Sequence, residues 1–173
     1  GRELLEAVQA SYPRLCLVAE NLGIISPEVE ALRRDFQLPG MVVLQFAFDG
    51  DPANPHLPQN HTREDIVYTG THDNNTTLGW YQSLNESTQQ NVYSLLPPND
   101  KSMPCMLVEQ AMNSVANTAI VPWQDYLGLD GSHRMNTPGT TEGNWHWGFE
   151  WQQVPENFPA RIREMLRNSD RLN

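Results

Sequence analysis

Apolar positions in this chain come in short bursts, and two of the bursts end on groups capable of chemistry. Leu15-Cys16-Leu17-Val18-Ala19 stops on Glu20, and Ile66-Val67-Tyr68-Thr69-Gly70-Thr71 stops on His72 and Asp73. Runs of this length and β-branched character predict strands buried on both faces, as parallel sheets require. Strands that finish on carboxylates are how an α/β barrel assembles a site, because the carboxyl ends of its strands face one mouth. Glu20 and Asp73 are the candidate pair.

The remaining pattern alternates helix and strand. Leu4, Leu5 and Val8 recur at helical spacing over Arg2 to Ser11, and Pro13 prevents extension. Ser26-Pro27-Glu28 is a helix start, with an N-cap, proline in the first turn and an acid behind it, so a helix is predicted over Pro27 to Phe36. Leu38-Pro39-Gly40 breaks it. Met41 to Phe48 then predicts another buried strand, closing a strand-helix-strand unit whose connection should be parallel and right-handed. Asp51 to Glu64, with three prolines and no apolar period, predicts an exposed loop of functional length.

Helical spacing returns over Thr76 to Leu84, Ser87 to Leu96 and Met106 to Val115, and Thr118 to Val121 predicts a last strand ended by Pro122. Gly128 to Gly143 predicts a loop at the barrel mouth. Trp145, Trp147 and Trp151 follow it, and a helix over Ala160 to Leu172 closes the chain.

Composition narrows the partners. A net charge of −10 over 173 residues disfavours nucleic acid and anionic membrane surfaces, whereas a neutral polyol is indifferent to it. Apolar stretches fall well short of the ~18 residues of a membrane span, and the amino terminus lacks the apolar core of a signal peptide. Cys16 and Cys105 stand apart from any CxxC or Cys/His cluster and predict reduced core residues, hence a cytoplasmic setting. The five histidines show no ligand spacing, so no metal site is expected.

Three blocks now carry a resemblance: VAENLGIISPEVEALRRDFQLPGMVVLQFAFDG, VYTGTHDNNTTLGW and RMNTPGTTEGNW. They resemble successive blocks from the carboxyl-terminal half of amylomaltase, the 4-α-glucanotransferase family of retaining, disproportionating enzymes. The resemblance implies an α/β fold, the carboxyl-terminal half of a TIM (β/α)8 barrel, with about four βα units and extra helices. Residues 1–173 would then be one partial catalytic barrel, since a whole barrel needs ~200 residues or more.

It also implies roles. Glu20 matches the family's acid/base, and Asp73 the aspartate that stabilises an oxocarbenium-like transition state. His72 would bind the same sugar, Asp49 an acceptor-side sugar, and Asn136 a further hydroxyl. Burial at a strand end would raise the Glu20 pKa, as an acid requires. Trp145, Trp147 and Trp80 could stack on glucose faces, although core or anchoring roles are commoner for such residues. The partners implied are α-1,4-glucans or maltooligosaccharides, with no cofactor.

The sequence departs from the family text at Asn21 and Asn75, where Asp is commoner, and at Gly148, where Arg is commoner. The block that carries the family's nucleophilic aspartate is absent, so this stretch alone should lack transferase activity. The alternative is a non-catalytic glucan-binding or assembly module, whose half barrel pairs with another chain or with itself to cover its open sheet edges; self-association or pairing with the missing barrel half is the partner this implies.

Overall fold

The computed structural model describes residues 1–172. Helices α1 (Arg2–Ser11) and α2 (Pro27–Asp35) precede strand β1 (Met41–Val43), and strand β2 (Ile66–Tyr68) leads into α3 (Thr77–Ser83), α4 (Glu86–Leu95) and α5 (Met103–Met112). Strand β3 (Thr118–Ile120), α6 (Trp123–Leu127) and α7 (Phe158–Asn168) complete the chain. The three strands form one parallel sheet in the order β1-β2-β3. The fold is therefore α/β with a small parallel sheet.

Strand alternation assigns the two faces. Val42, Val67 and Ala119 lie in register across the sheet and pack into the core with Leu107, Ala111 and Val92. Leu107 and Val92 are fully buried, worth about 1.5–3 kcal/mol each on area grounds. The opposite face presents Met41, Tyr68 and Ile120 to an open cleft.

Local signals set the helix starts. The Ser26 hydroxyl accepts the Val29 amide, with Pro27 in the first turn of α2. Thr76 caps α3 through the Gly79 amide at 3.1 Å, and Asn85 caps α4 through Thr88. The helix expected from Met106 begins at Met103 instead, because Pro104 is itself tolerated in a first turn. It ends at Met112, three residues before the expected Val115. The last helix begins at Phe158 rather than Ala160, again with proline in its first turn, and ends at Asn168. Helix α6, which closes on left-handed Gly128, was not expected; five residues are too few to show a period.

Three expectations about strands and loops need correction. Leu15 to Ala19 is not a buried strand: Leu15 and Val18 are exposed, and among the described residues the run's one backbone bond to a distant segment is Ala19 N–H to Pro39 O at 2.9 Å, beside local turns at Tyr12 and Asn21. Side chains take the place of a ladder along β1, where the Met41 amide donates to Asn21 Oδ1 at 2.7 Å and the Val43 amide to His56 Nδ1 at 3.0 Å. With the first strand of the expected strand-helix-strand unit unformed, its handedness has no strand pair to define it. The β1 strand is shorter than Met41 to Phe48, since Leu44–Phe46 turns into a 3-10 helix. Gln45 explains that turn. It is buried, its amide donates to Thr69 O at 3.3 Å, and its side chain donates to Asn75 O at 2.9 Å, which a continuing apolar strand would not need.

The Asp51 to Glu64 loop is pinned rather than exposed throughout. Asn54, Leu57 and His61 are buried in it, with Asn54 Nδ2 donating to Phe46 O at 2.7 Å. Among the described residues, no helix is long and apolar enough to cross a membrane.

Candidate active site

Glu20, Tyr68, His72, Asp73, Arg134 and Trp145 border one open cleft of about 1270 Å³. Glu20 arrives from the extended run before α2, and His72 with Asp73 arrives from the turn after β2. The expected pair therefore shares a cleft. Glu20 itself is exposed, so the burial that was to raise its pKa is not found. Its charge is felt by Tyr68 instead: burial pushes that phenol's pKa up, and the nearby Glu20 carboxylate adds to the effect.

Asp73 is clasped from across the chain. Its Oδ1 accepts Asn136 Nδ2 at 2.6 Å and lies 3.3 Å from His72 Nε2, while its carbonyl accepts Arg134 Nη2 at 2.9 Å. Arg134 also donates through Nε to Asn136 O at 3.1 Å, so one guanidinium fixes both members of the contact. Sequence reasoning named Asn136 and missed Arg134. Two residues before Asn136 in an irregular tract, it gave no periodic signal.

Trp145 closes the His72 side, with ring centroids 5.0 Å apart and an interplanar angle of 37°. It is 61% exposed, and its φ of 62° is unusual for a bulky residue, held by a 2.8 Å bond from its amide to Met135 O. An exposed aromatic ring held in a left-handed turn beside a histidine is suited to stacking on an apolar sugar face. Trp147 also borders the cleft. Trp80 does not; it packs on Phe48 at 5.5 Å, against the core.

Asp49 lies outside the cleft lining. Its Oδ1 accepts the Asp51 amide at 3.0 Å, and hydrogen bonds from Asn54 and that amide hold its pKa below the usual carboxylate value.

The turn that carries His72 and Asp73 stands on a buried acid. Asp125 accepts Thr69 Oγ1 at 2.6 Å, Thr77 Oγ1 at 2.8 Å and the Thr77 amide at 2.7 Å, joining the end of β2 to α3 and α6. Burial pushes its pKa up, partly offset by these donors. A second tie comes from packing: a Cβ on Gly79 would lie 2.6 Å from Gly131 Cα and 2.6 Å from Asn75 Oδ1, so only glycine lets α3 approach the 131 turn. Among the described residues, no group of three or more His, Cys, Asp or Glu side chains is arranged to hold a metal.

Comparison with known proteins gives this geometry its setting. The glycoside hydrolase 77 profile, described as 4-alpha-glucanotransferase, matches residues 1–153. The chain belongs to the 4-alpha-glucanotransferase family. It is 49% identical over 171 residues to the chloroplastic/amyloplastic 4-alpha-glucanotransferase DPE1 of Oryza sativa subsp. japonica, covering 96% of this chain and 29% of that protein. It is 41% identical over 180 residues to the 4-alpha-glucanotransferase of Thermus thermophilus, covering 99% and 36%.

Among solved structures, the amylomaltase from Streptococcus agalactiae in complex with acarbose superposes with a TM-score of 0.94 at 29% identity, over 99% of this chain and 35% of that one. The chain thus spans about a third of the length of the 4-alpha-glucanotransferases it matches.

Proposed function

We propose that residues 1–173 are the carboxyl-terminal half of a (β/α)8 catalytic barrel within a longer 4-alpha-glucanotransferase. That enzyme moves α-1,4-linked glucan segments between maltodextrins by double displacement. Glu20 protonates the departing sugar oxygen and then takes the proton of the incoming hydroxyl. Asp73, with His72 and Asn136, binds the hydroxyls of the reacting ring and stabilises its developing positive charge. The nucleophilic carboxylate comes from outside these residues, and the reading needs no cofactor. Loops that exclude water, the Gly128 to Gly143 tract among them, favour a sugar acceptor over hydrolysis.

One observation carries this reading: Glu20 and an Asp73 clasped by Asn136 border the same cleft in a chain of this family. The structural relative from Streptococcus agalactiae is an amylomaltase in complex with acarbose, which supports α-glucans as the ligand class. The non-catalytic alternative, with its self-association, has no observation of its own. A cytoplasmic location rests only on the two free cysteines, of which Cys105 is half-buried and Cys16 is exposed rather than in the core as expected, and the rice relative is chloroplastic or amyloplastic by name. The test is the full-length protein incubated with maltotriose. Glucose release together with longer maltodextrins is expected, and glucose and maltose in equal amounts without longer products would replace transfer by hydrolysis.

A further inference from the structure

The Val43 amide faces away from β2 on a fully buried residue, and it donates to His56 Nδ1 at 3.0 Å. An amide can only donate, so Nδ1 must be the bare, accepting nitrogen. A neutral imidazole then carries its proton on Nε2. No water reaches a fully buried amide to take over that bond, which makes the tautomer a consequence of the fold.

The ring is also fixed in place. The His56 amide donates to Asn54 Oδ1 at 2.8 Å, its carbonyl lies 3.0 Å from His61 Nε2, and its ring stands edge-on to Phe46 with centroids 5.4 Å apart. His61 Nδ1 is anchored in turn 2.8 Å from the Ser114 hydroxyl. Burial, reinforced by His61, pushes the His56 pKa down against the weaker opposite pull of Asp49, so the ring stays neutral at neutral pH. His56 borders the cleft that holds Glu20 and Asp73, and among the described residues its Nε2 has no hydrogen-bond partner.

We propose that His56 is a substrate-contacting residue whose Nε2–H, fixed in that tautomer by the Val43 amide, donates to an oxygen of the glucan in the cleft. The inference rests on the glucan reading above. A sugar hydroxyl can give or take a hydrogen bond, whereas a locked N–H can only give. Such a donor selects the orientation of the hydroxyl it meets and contributes to specificity as well as affinity.

Two substitutions in the full-length protein separate contact from support. His56→Asn keeps an oxygen where Nδ1 sits, so Val43 retains its partner, but it has nothing at the position of Nε2. His56→Gln reaches the Nε2 position and abandons the Val43 amide. We expect His56→Asn to raise KM for maltotriose about 3- to 10-fold, the loss of one neutral hydrogen bond, with kcat and melting temperature near wild type. His56→Gln should instead lower the melting temperature while holding KM closer to wild type.

Nitrogen-15 spectra of the imidazole should show the Nε2–H tautomer, with a resonance that shifts when maltotriose is added. A wild-type KM for His56→Asn at unchanged melting temperature, or an Nδ1–H tautomer, overturns the proposal. A wild-type full-length protein that transfers nothing from maltotriose overturns the glucan reading itself, so the two failures are distinct.

Discussion

Asn136 donates its side-chain N–H to the Asp73 carboxylate at 2.6 Å across 63 positions of sequence, and this bond joins the turn after β2 to the glycine-rich tract. It leaves Asp73 Oδ2 free of protein partners among the described residues, available to a ligand. Removing the amide should therefore loosen the carboxylate without destroying it. In the full-length protein, Asn136→Ala is expected to lower kcat/KM for maltotriose about 3- to 30-fold, whereas Asp73→Ala should cost far more. The double variant should lose no more than Asp73→Ala alone, and additive losses would mean that the two residues act separately.

Asp125 offers a test of the support beneath the site. It serves three donors from a position 3% exposed. Asp125→Ala strands the hydroxyls of Thr69 and Thr77 together with one amide, and should destabilise by about 3–5 kcal/mol. Asp125→Asn can still accept the Thr77 amide through its oxygen, while both hydroxyls rotate to accept from its nitrogen, so a loss below about 1.5 kcal/mol is expected. Its folded pKa is raised, so the stability it contributes is fully present below the unfolded value of about 3.9 and is lost as pH rises through the folded value. Denaturant titrations should accordingly show the wild type losing ground to Asp125→Asn as pH rises across that window.

Much of the local structure is legible in the sequence, and the departures from it have a common cause. Helix caps are local, so Ser26 announces its helix, whereas Thr76, read only as the start of a helically spaced run, is itself the cap of α3. The placement of His72 and Asp73 at the cleft is legible because they follow a short apolar burst, of which Ile66–Tyr68 forms a strand. The Leu15 run reads as a strand on the same grounds, yet strand formation is a pairwise event. Among the described residues, Asn21 and His56 take the β1 amides that a neighbouring strand would have used. Arg134 and Asp125 were missed because their roles depend on partners 61 and 56 positions away, which no periodicity encodes.

The histidines give a pH dependence of the opposite sign to that of Asp125. Burial lowers the pKa of both His56 and His61, reinforced at His56 by His61 and opposed by Asp49, and opposed at His61 by its hydrogen bond to the His56 carbonyl and then by Asp65. A depressed folded pKa means stability that is present above the unfolded value of about 6.5 and is lost as pH falls through the folded value. Protonating His56 also places a proton on the nitrogen that accepts from Val43. The melting temperature of the full-length protein should fall on acidification below about pH 6.5, and His61→Gln should flatten part of that slope. An unchanged slope would place the titration elsewhere.

The last expectation separates Glu20 from Asp73 by role, and the exposure of Glu20 sharpens it. An exposed carboxyl has no strong shell of donors holding it, so Glu20→Gln should leave the fold intact and report on chemistry alone. Glutamine keeps the shape and cannot transfer a proton. In the full-length protein it should suppress transfer from maltodextrins, whose departing sugar oxygen must be protonated, by roughly 10²- to 10⁴-fold. With a glycosyl fluoride donor, whose fluoride leaves without a proton, the same variant should lose far less in the first half-reaction. Asp73→Asn should damage both donors alike, because stabilisation of the oxocarbenium-like ring is needed whichever group departs. Rates measured with the two donors on both variants form a square of four ratios. Equal losses for Glu20→Gln on both donors would remove Glu20 from the acid's role, while a loss for Asp73→Asn confined to maltodextrins would transfer that role to Asp73.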